Sequence, residues 1–238
     1  MKNQYAGDVG DYTKLGVLRA IEKAGFSIGL NWYLTPDEPE HSKTFTDGKH
    51  ISFLDKECDT PDKDLHSALK SIAKSEKRSV AKIERAKLFE NAHFWNKILE
   101  AKTRDKWHIE ALKRLGNQDV IFLDPDNGLE IKGTKPHSKN GSKYTTYQEA
   151  ADYYAKGATV IIYNHRDRKP EEEYLKRFYQ FKDMEETQNA KMFYLRASRY
   201  SVRDYLFLMQ ERHFSDLERA IDSFLATEWC LYLKKYTL

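Results

Sequence analysis

The sequence predicts an α/β fold of three layers, a mainly parallel sheet with helices on both faces. Three observations predict it. Apolar runs rich in β-branched and aromatic residues recur along the chain with helical patterns between them. Three times a helical pattern closes on a glycine that leads at once into such a run. The runs are apolar at successive positions, as strands covered on both faces must be.

The elements follow in order. From Lys14 to Ala24, Leu15, Leu18 and Ile21 share one side of a helix that stops at Gly25, and FSIGLNWYL (26–34) is the first strand. ISFL (51–54) reads as a second strand. Residues 60–115 hold no convincing strand and read as two to four helices, a helical, basic insertion or a cap on the sheet. The last of them, Arg104 to Leu115, ends at Gly116 before the strand VIFL (120–123). IKGTKPHSKNGSKYTTY (131–147) is the polar loop, and Tyr147 to Lys156 ends at Gly157 before ATVIIY (158–163). Pro170 followed by three glutamates opens a further helix, and MFYLR (192–196) and YLFLM (205–209) complete the strands. No repeat, low-complexity tract or long linker divides the chain, so residues 1–238 are expected to form a single domain.

Composition narrows the class. With 238 residues, 40% apolar, the chain can bury a sizeable core. No apolar run approaches the ~20 residues that cross a bilayer, and no apolar stretch follows the first lysine. The expectation is a cytoplasmic protein without membrane contact or an obligate protein partner. Cys58 and Cys230 are too few and too far apart for a disulfide framework or a thiolate zinc site. The net charge of +3 is unevenly spread: residues 1–69 carry 8 basic and 12 acidic side chains, residues 70–115 carry 13 and 6. That basic block is either a solvated helix face or a surface that meets the phosphates of a nucleic acid.

The candidate chemistry sits at strand ends. VIFL runs directly into Asp124, Pro125, Asp126, Asn127 and Gly128. In open α/β sheets ligands bind outside the carboxyl ends of the strands, and a carboxylate there is costly unless it has a partner or a task. ATVIIY likewise runs into Asn164, His165, Arg166, Asp167 and Arg168, and if the two strands are neighbours, imidazole, cations and carboxylates meet over one crevice. Asn31 and Trp32 belong to the first strand, and AGDVGDYTK offers Asp8, Asp11, Tyr12 and Lys14 ahead of the first helix. Aromatic rings at such places stack on bases that enzymes draw out of a helix, which makes Tyr12, Trp32 and Tyr144 stacking candidates.

Two families resemble these residues. FLDPDN, GLNWYLT and YNHRDR are similar to three short patches of the uracil-DNA glycosylase superfamily, α/β enzymes that flip a nucleotide and hydrolyse its N-glycosidic bond: an Asp-Pro turn after a strand, an Asn on a strand, a late His. Asp126 stands where that family usually has Tyr, and no Pro-Ser follows His165. AGDVGDYTK and LDPDNG resemble, in chain order, two motifs of class I methyltransferases that modify adenine in ribosomal RNA. Those enzymes need a glycine-rich turn after the first strand, and between Leu30 and Gly48 there is no glycine. The glycosylase resemblance implies a DNA-acting enzyme without cofactor or metal, an antiviral one that excises modified phage bases fitting the looseness of the match. It implies Asp124, then Asp126, as the carboxylate beside the sugar, Asn127 or Asn31 as reader of the base, and His165 as donor to the departing base. Arg166, Arg168 and the basic block would hold phosphates, with Tyr12, Trp32, Asn164, Lys14, Asp8 and Asp11 contributing to the substrate site. A metal-dependent nuclease built on Asp8, Asp11, Asp124 and Asp126 is the remaining alternative.

Overall fold

The computed structural model describes residues 1–37, 50–55, 60–199 and 202–238. Nine strands are found among them: β1 (Ile28–Asn31), β2 (Ala92–Trp95), β3 (Val120–Leu123), β4 (Gly128–Leu129), β5 (Tyr144–Thr145), β6 (Thr159–His165), β7 (Lys191–Ala197), β8 (Arg203–Met209) and β9 (Leu233–Thr237). The α-helices are α1 (Val9–Lys23), α2 (Lys63–Ala73), α3 (Val80–Arg85), α4 (Arg104–Leu115), α5 (Tyr147–Ala155), α6 (Glu171–Tyr179) and α7 (Glu211–Leu225). The fold is mixed α/β around a seven-stranded sheet in the order β2-β1-β3-β6-β8-β7-β9, with β4 and β5 forming a small parallel pair of their own.

Pairing is parallel from β2 through β1 and β3 to β6. β8 is antiparallel to both β6 and β7, and β9 is antiparallel to β7, so β7 runs with the parallel set and the sheet is mostly parallel by direction. From β1 the chain crosses to β2 on one side and later to β3 on the other, which makes the carboxyl ends of β1 and β3 the topological switch point.

Successive side chains of the central strands alternate between the two faces of the sheet, as the pleat requires. Val120 and Phe122 enter one apolar cluster, with Leu15 and Leu18 of α1 and Leu217 and Ile221 of α7. Ile121 and Leu123 enter the other, with Trp107 and Ala111 of α4, Tyr153 of α5 and Phe178 of α6. β3, a continuous apolar run, thus has a core on each side. Each such fully buried side chain contributes about 1.5–3 kcal/mol.

The structure departs from expectation at short elements. ISFL is not a strand: Ser52–Asp55 is a 3-10 turn closed by Leu54 N–H to the Ile51 carbonyl at 2.9 Å, and Phe53 and Leu54 are buried. Residues 60–115 are not helical throughout, because β2 pairs with β1 as the sheet's edge. β2 is mostly half-buried and lacks a clean apolar alternation; β9 carries Lys234 and Lys235, a composition typical of edge strands. Of the three helix-ending glycines, Gly25 (φ 96°) and Gly157 (φ 95°) are left-handed, whereas Gly116 (φ −63°) keeps helical backbone. Cys230 is free and exposed, and Cys58 lies outside the described residues. No helix among the described residues is long and apolar enough to cross a membrane.

Candidate functional site

The Asp124 N–H still donates to the Asn31 carbonyl at 2.9 Å, and Pro125 then ends the ladder. The chain turns through Asp126 and Asn127 and is tied down twice: the Asn127 N–H reaches the Lys143 carbonyl at 2.9 Å, and the Asn127 carbonyl accepts from the His165 N–H at 3.3 Å. Gly128 adopts φ 102°, and a Cβ there would lie 2.1 Å from Asn164 Oδ1, so the turn admits only glycine.

This turn, the end of β6 and the first turn of α1 enclose a cleft of about 440 Å³. Asp124, Asp126, Asn127 and His165 all line it, as do Asp8, Asp11 and Lys14; Tyr163, Arg203, Lys2 and Lys143 add to its walls. The groups from β3 and β6 meet because those strands are direct neighbours, Leu123 lying level with Ile162.

One wall is an ion triad. Lys14 Nζ contacts Asp124 Oδ2 and lies 2.7 Å from Asp11 Oδ1, and all three side chains are 4% exposed or less. Asp11 Oδ2 also accepts the Gly7 N–H at 2.6 Å. Burial opposes the Lys14 charge, but the two carboxylates outweigh it and raise the pKa, so the ammonium stays protonated. Burial pushes Asp124 up against the pull of Lys14. Asp126 pairs with the Met1 amino group at 2.7 Å and accepts from Thr35 Oγ1 at 3.2 Å; these outweigh burial and hold its carboxyl below the usual range.

Asp8 caps α1 by accepting the Asp11 N–H at 3.1 Å. Burial and the Asp11 carboxylate raise it to about 6, against Arg203 and Lys14. An acid raised in the folded state contributes stability below its ordinary value of 3.8 that is lost as pH rises through about 6. Asp8→Asn should therefore gain stability relative to the parent at pH 8 but not at pH 4; thermal unfolding at the two pH values measures this, and parallel curves would contradict it. His165 keeps one edge in solvent, yet burial of the rest of the ring and the Arg203 charge push it down to about 4. It is thus a neutral imidazole near pH 7, with Nε2 2.9 Å from the Tyr163 hydroxyl.

Other predicted site residues are placed elsewhere. Asn31 is fully buried, its amide bonded to the Tyr153 hydroxyl (3.3 Å) and the Tyr33 N–H (3.1 Å), so it cannot read a base. Tyr12 and Trp32 are 0% exposed: Tyr12 packs among Phe53, Trp229 and Tyr232, and the Trp32 indole donates to Glu84 at 2.8 Å. Neither can stack on a ligand. Asn164 is a buried fastener, accepting the Leu129 N–H at 2.9 Å and donating to the Tyr174 hydroxyl at 2.7 Å. Arg166 turns away to Asp167 (3.1 Å) and Glu171 (3.0 Å) across the Tyr174 ring, and Arg168 is exposed outside the cleft lining. Sequence reasoning passed over Arg203, which stands directly opposite His165 across the β6–β8 pair. Its one signal was an arginine at the start of an apolar strand. Lys143 gave none, being one of several lysines in a polar loop.

Together the cleft offers a carboxyl that takes up a proton as pH falls to about 6, fixed carboxylates, a neutral imidazole and several cations. Among the described residues no three acidic, histidine or cysteine side chains converge as a cation site, and the Lys14 ammonium holds the place between Asp11 and Asp124. No protein-family model matches the chain, and no curated protein matches its sequence.

Proposed function

We propose that the cleft hydrolyses the N-glycosidic bond of a base in DNA, a modified base in the phage-defence setting, without a cofactor and on a three-layer α/β scaffold. One observation carries this reading: Asp124 and His165, from adjacent strands, line the same nucleotide-sized hollow together with Asp8. A base inside a duplex must swing out to enter such a hollow. As the bond from the sugar carbon to the base nitrogen breaks, its electron pair leaves with the base and positive charge builds on the sugar. The Asp124 carboxylate, fixed by Lys14, stabilises that charge. Asp8 gives its proton to the departing base; water adds to the sugar carbon, and its proton passes to the neutral His165 or to Asp126. Asn127 remains as the reader of the base, while Lys2 and Lys143 replace Arg166 and Arg168 as phosphate contacts. The test is incubation with plain and modified DNA in the presence of chelator, with free base detected by mass spectrometry. Absence of released base from every substrate would refute the reading.

A second reading, methyl transfer to a base, is favoured by the switch point at β1 and β3 with the Asp124–Gly128 turn beside it. The residues do not fit its cofactor. After β1 comes no glycine turn but Trp32 and Tyr33, both fully buried, with Tyr33 at φ 43°. Saturable binding of S-adenosylmethionine would select this reading instead.

A further inference from the structure

Both feet of the polar loop 131–143 stand on the cleft. The loop leaves β4, which follows the Asp124–Gly128 turn directly, and returns through Lys143 into β5, the strand that pairs with β4. Lys143 lines the cleft, and its carbonyl holds the Asn127 N–H at 2.9 Å. Between Glu130 and Glu149 there is no acidic residue, whereas Lys132, Lys135, Lys139 and Lys143 recur every three or four positions. The first three are exposed, and among the described residues none of the four ammonium groups has a carboxylate or hydrogen-bond partner. The acid beside the loop, Asp105, faces His137 at 3.5 Å instead.

Unneutralised ammonium groups repel one another, and a loose loop would let them spread. This loop is tied. Arg104, 2% exposed and paired with Glu149, donates to the carbonyls of Pro136 (3.3 Å), Gly141 (2.9 Å) and Tyr144 (2.7 Å). Ser138 Oγ closes the tip, donating to the Lys135 carbonyl at 2.7 Å and accepting the Gly141 N–H at 3.0 Å. Taking an ion pair out of water is costly, and here it serves to fix an exposed, acid-free row of cations at the rim of the cleft. The basic block at 70–115 offers no such row. Arg78 is spent on the carbonyls of Ala6 (2.6 Å) and Tyr5 (2.8 Å), Lys97 pairs with Glu110 at 3.1 Å, and Glu76, Glu84 and Glu90 interrupt the rest.

Four point charges strung along a loop, without a pocket in which they converge, suit a chain of repeating phosphates and not a single one. We propose that loop 131–143 is the surface along which the phosphates of the DNA strand lie while its base enters the cleft, a reading that rests on the DNA chemistry proposed above. The substrate is then a polymer, because a free nucleotide lacks the neighbouring phosphates that the loop holds.

Fluorescence anisotropy of a labelled single-stranded DNA of about 15 nucleotides, titrated with the protein at rising KCl, tests this. Each phosphate contact to a single strand adds about 0.7 to the slope of log K against log salt, so the combined variant Lys132→Gln, Lys135→Gln and Lys139→Gln should lower the slope by about 2 and weaken binding roughly tenfold or more at about 0.1 M salt. All three side chains are exposed, so its thermal unfolding should match that of the parent. The matched variant Lys74→Gln, Lys77→Gln and Lys87→Gln changes the net charge equally at exposed positions of the basic block and should keep the parent slope. An unchanged slope in the loop variant overturns the proposal, as does an equal loss in the matched variant, which would make the effect one of net charge alone, or a parent protein that binds phosphatidylglycerol vesicles and not DNA. If the slope falls as expected but no DNA yields free base, the docking surface stands and the hydrolytic reading falls; base release by the loop variant with an unchanged KM removes the surface and leaves the hydrolytic reading standing.

Discussion

Asp124→Asn is expected to slow base release by roughly 100- to 1000-fold under single-turnover conditions. The change is nearly isosteric, so the loss reads the charge and not the shape. Asparagine can still accept from Lys14 through its carbonyl, and Lys14 keeps Asp11 at 2.7 Å, so the buried cation is not abandoned. The fold should nevertheless weaken by about 1–3 kcal/mol, because the buried ammonium exchanges a carboxylate partner for a neutral carbonyl. Urea unfolding separates the two effects: a variant that is fully folded at the assay temperature and slow has lost chemistry. Asp126→Asn is the matched comparison: it removes the neighbouring charge held by the Met1 amino group and by Thr35, and with it one of two acceptors for the water's proton, so it should slow release less than Asp124→Asn. Full activity in Asp124→Asn would remove the carboxylate from the mechanism, whatever else the cleft does.

The parts of this molecule that could be read from its sequence are those whose physics is local. β3 and β6 were legible because continuous apolar runs bounded by glycine and by a polar turn have few other uses. The turn from Asp124 to Gly128 could be placed at the rim of the sheet for the same reason, and His165 beside it by the assumption that two successive strands are neighbours. β2 and β9 were not legible: each is an edge, one side bare of partners and its pattern diluted by polar residues. Side-chain roles failed where burial decided them. Asn31 and Trp32 stand within two residues of the switch point, yet the side chains fold into the core, and a strand's sequence does not say which of its polar groups the interior will satisfy. Arg203 was hidden for the opposite reason. It reaches the cleft only because β8 returns antiparallel between β6 and β7, a long-range pairing with no local trace in the chain.

The same distinction between local and distant support governs the largest expected effect on stability. Glu149→Ala should destabilise the protein by about 3–5 kcal/mol, measured as the free energy of urea unfolding at pH 7. Glu149 lies in the first turn of α5 and takes both arms of Arg104, with Nε to Oε1 at 2.7 Å and Nη2 to Oε2 at 2.6 Å. Arg104 is 2% exposed, so without Glu149 its charge stays buried with carbonyl oxygens alone. Those carbonyls belong to Pro136 (3.3 Å), Gly141 (2.9 Å) and Tyr144 (2.7 Å), which means that the pair also fixes the loop carrying Lys143. Lys143 in turn holds the Asn127 N–H, so loosening the pair should reach the Asp124–Gly128 turn and lower the proposed activity in a folded fraction as well. Burial opposes ionisation of Glu149, but Arg104 outweighs it and holds its carboxyl below the ordinary glutamate range. A depressed acid supplies stability above its unfolded pKa and loses it as pH falls through the folded one, so the parent should weaken steeply in acid while Glu149→Ala shows a flatter decline. Removing both members together, as in Arg104→Met with Glu149→Leu, should recover much of the loss, since no charge is then left unpaired. A double variant as unstable as the single one would show that the carbonyl contacts of Arg104, and not its ion pair, hold this side of the molecule together.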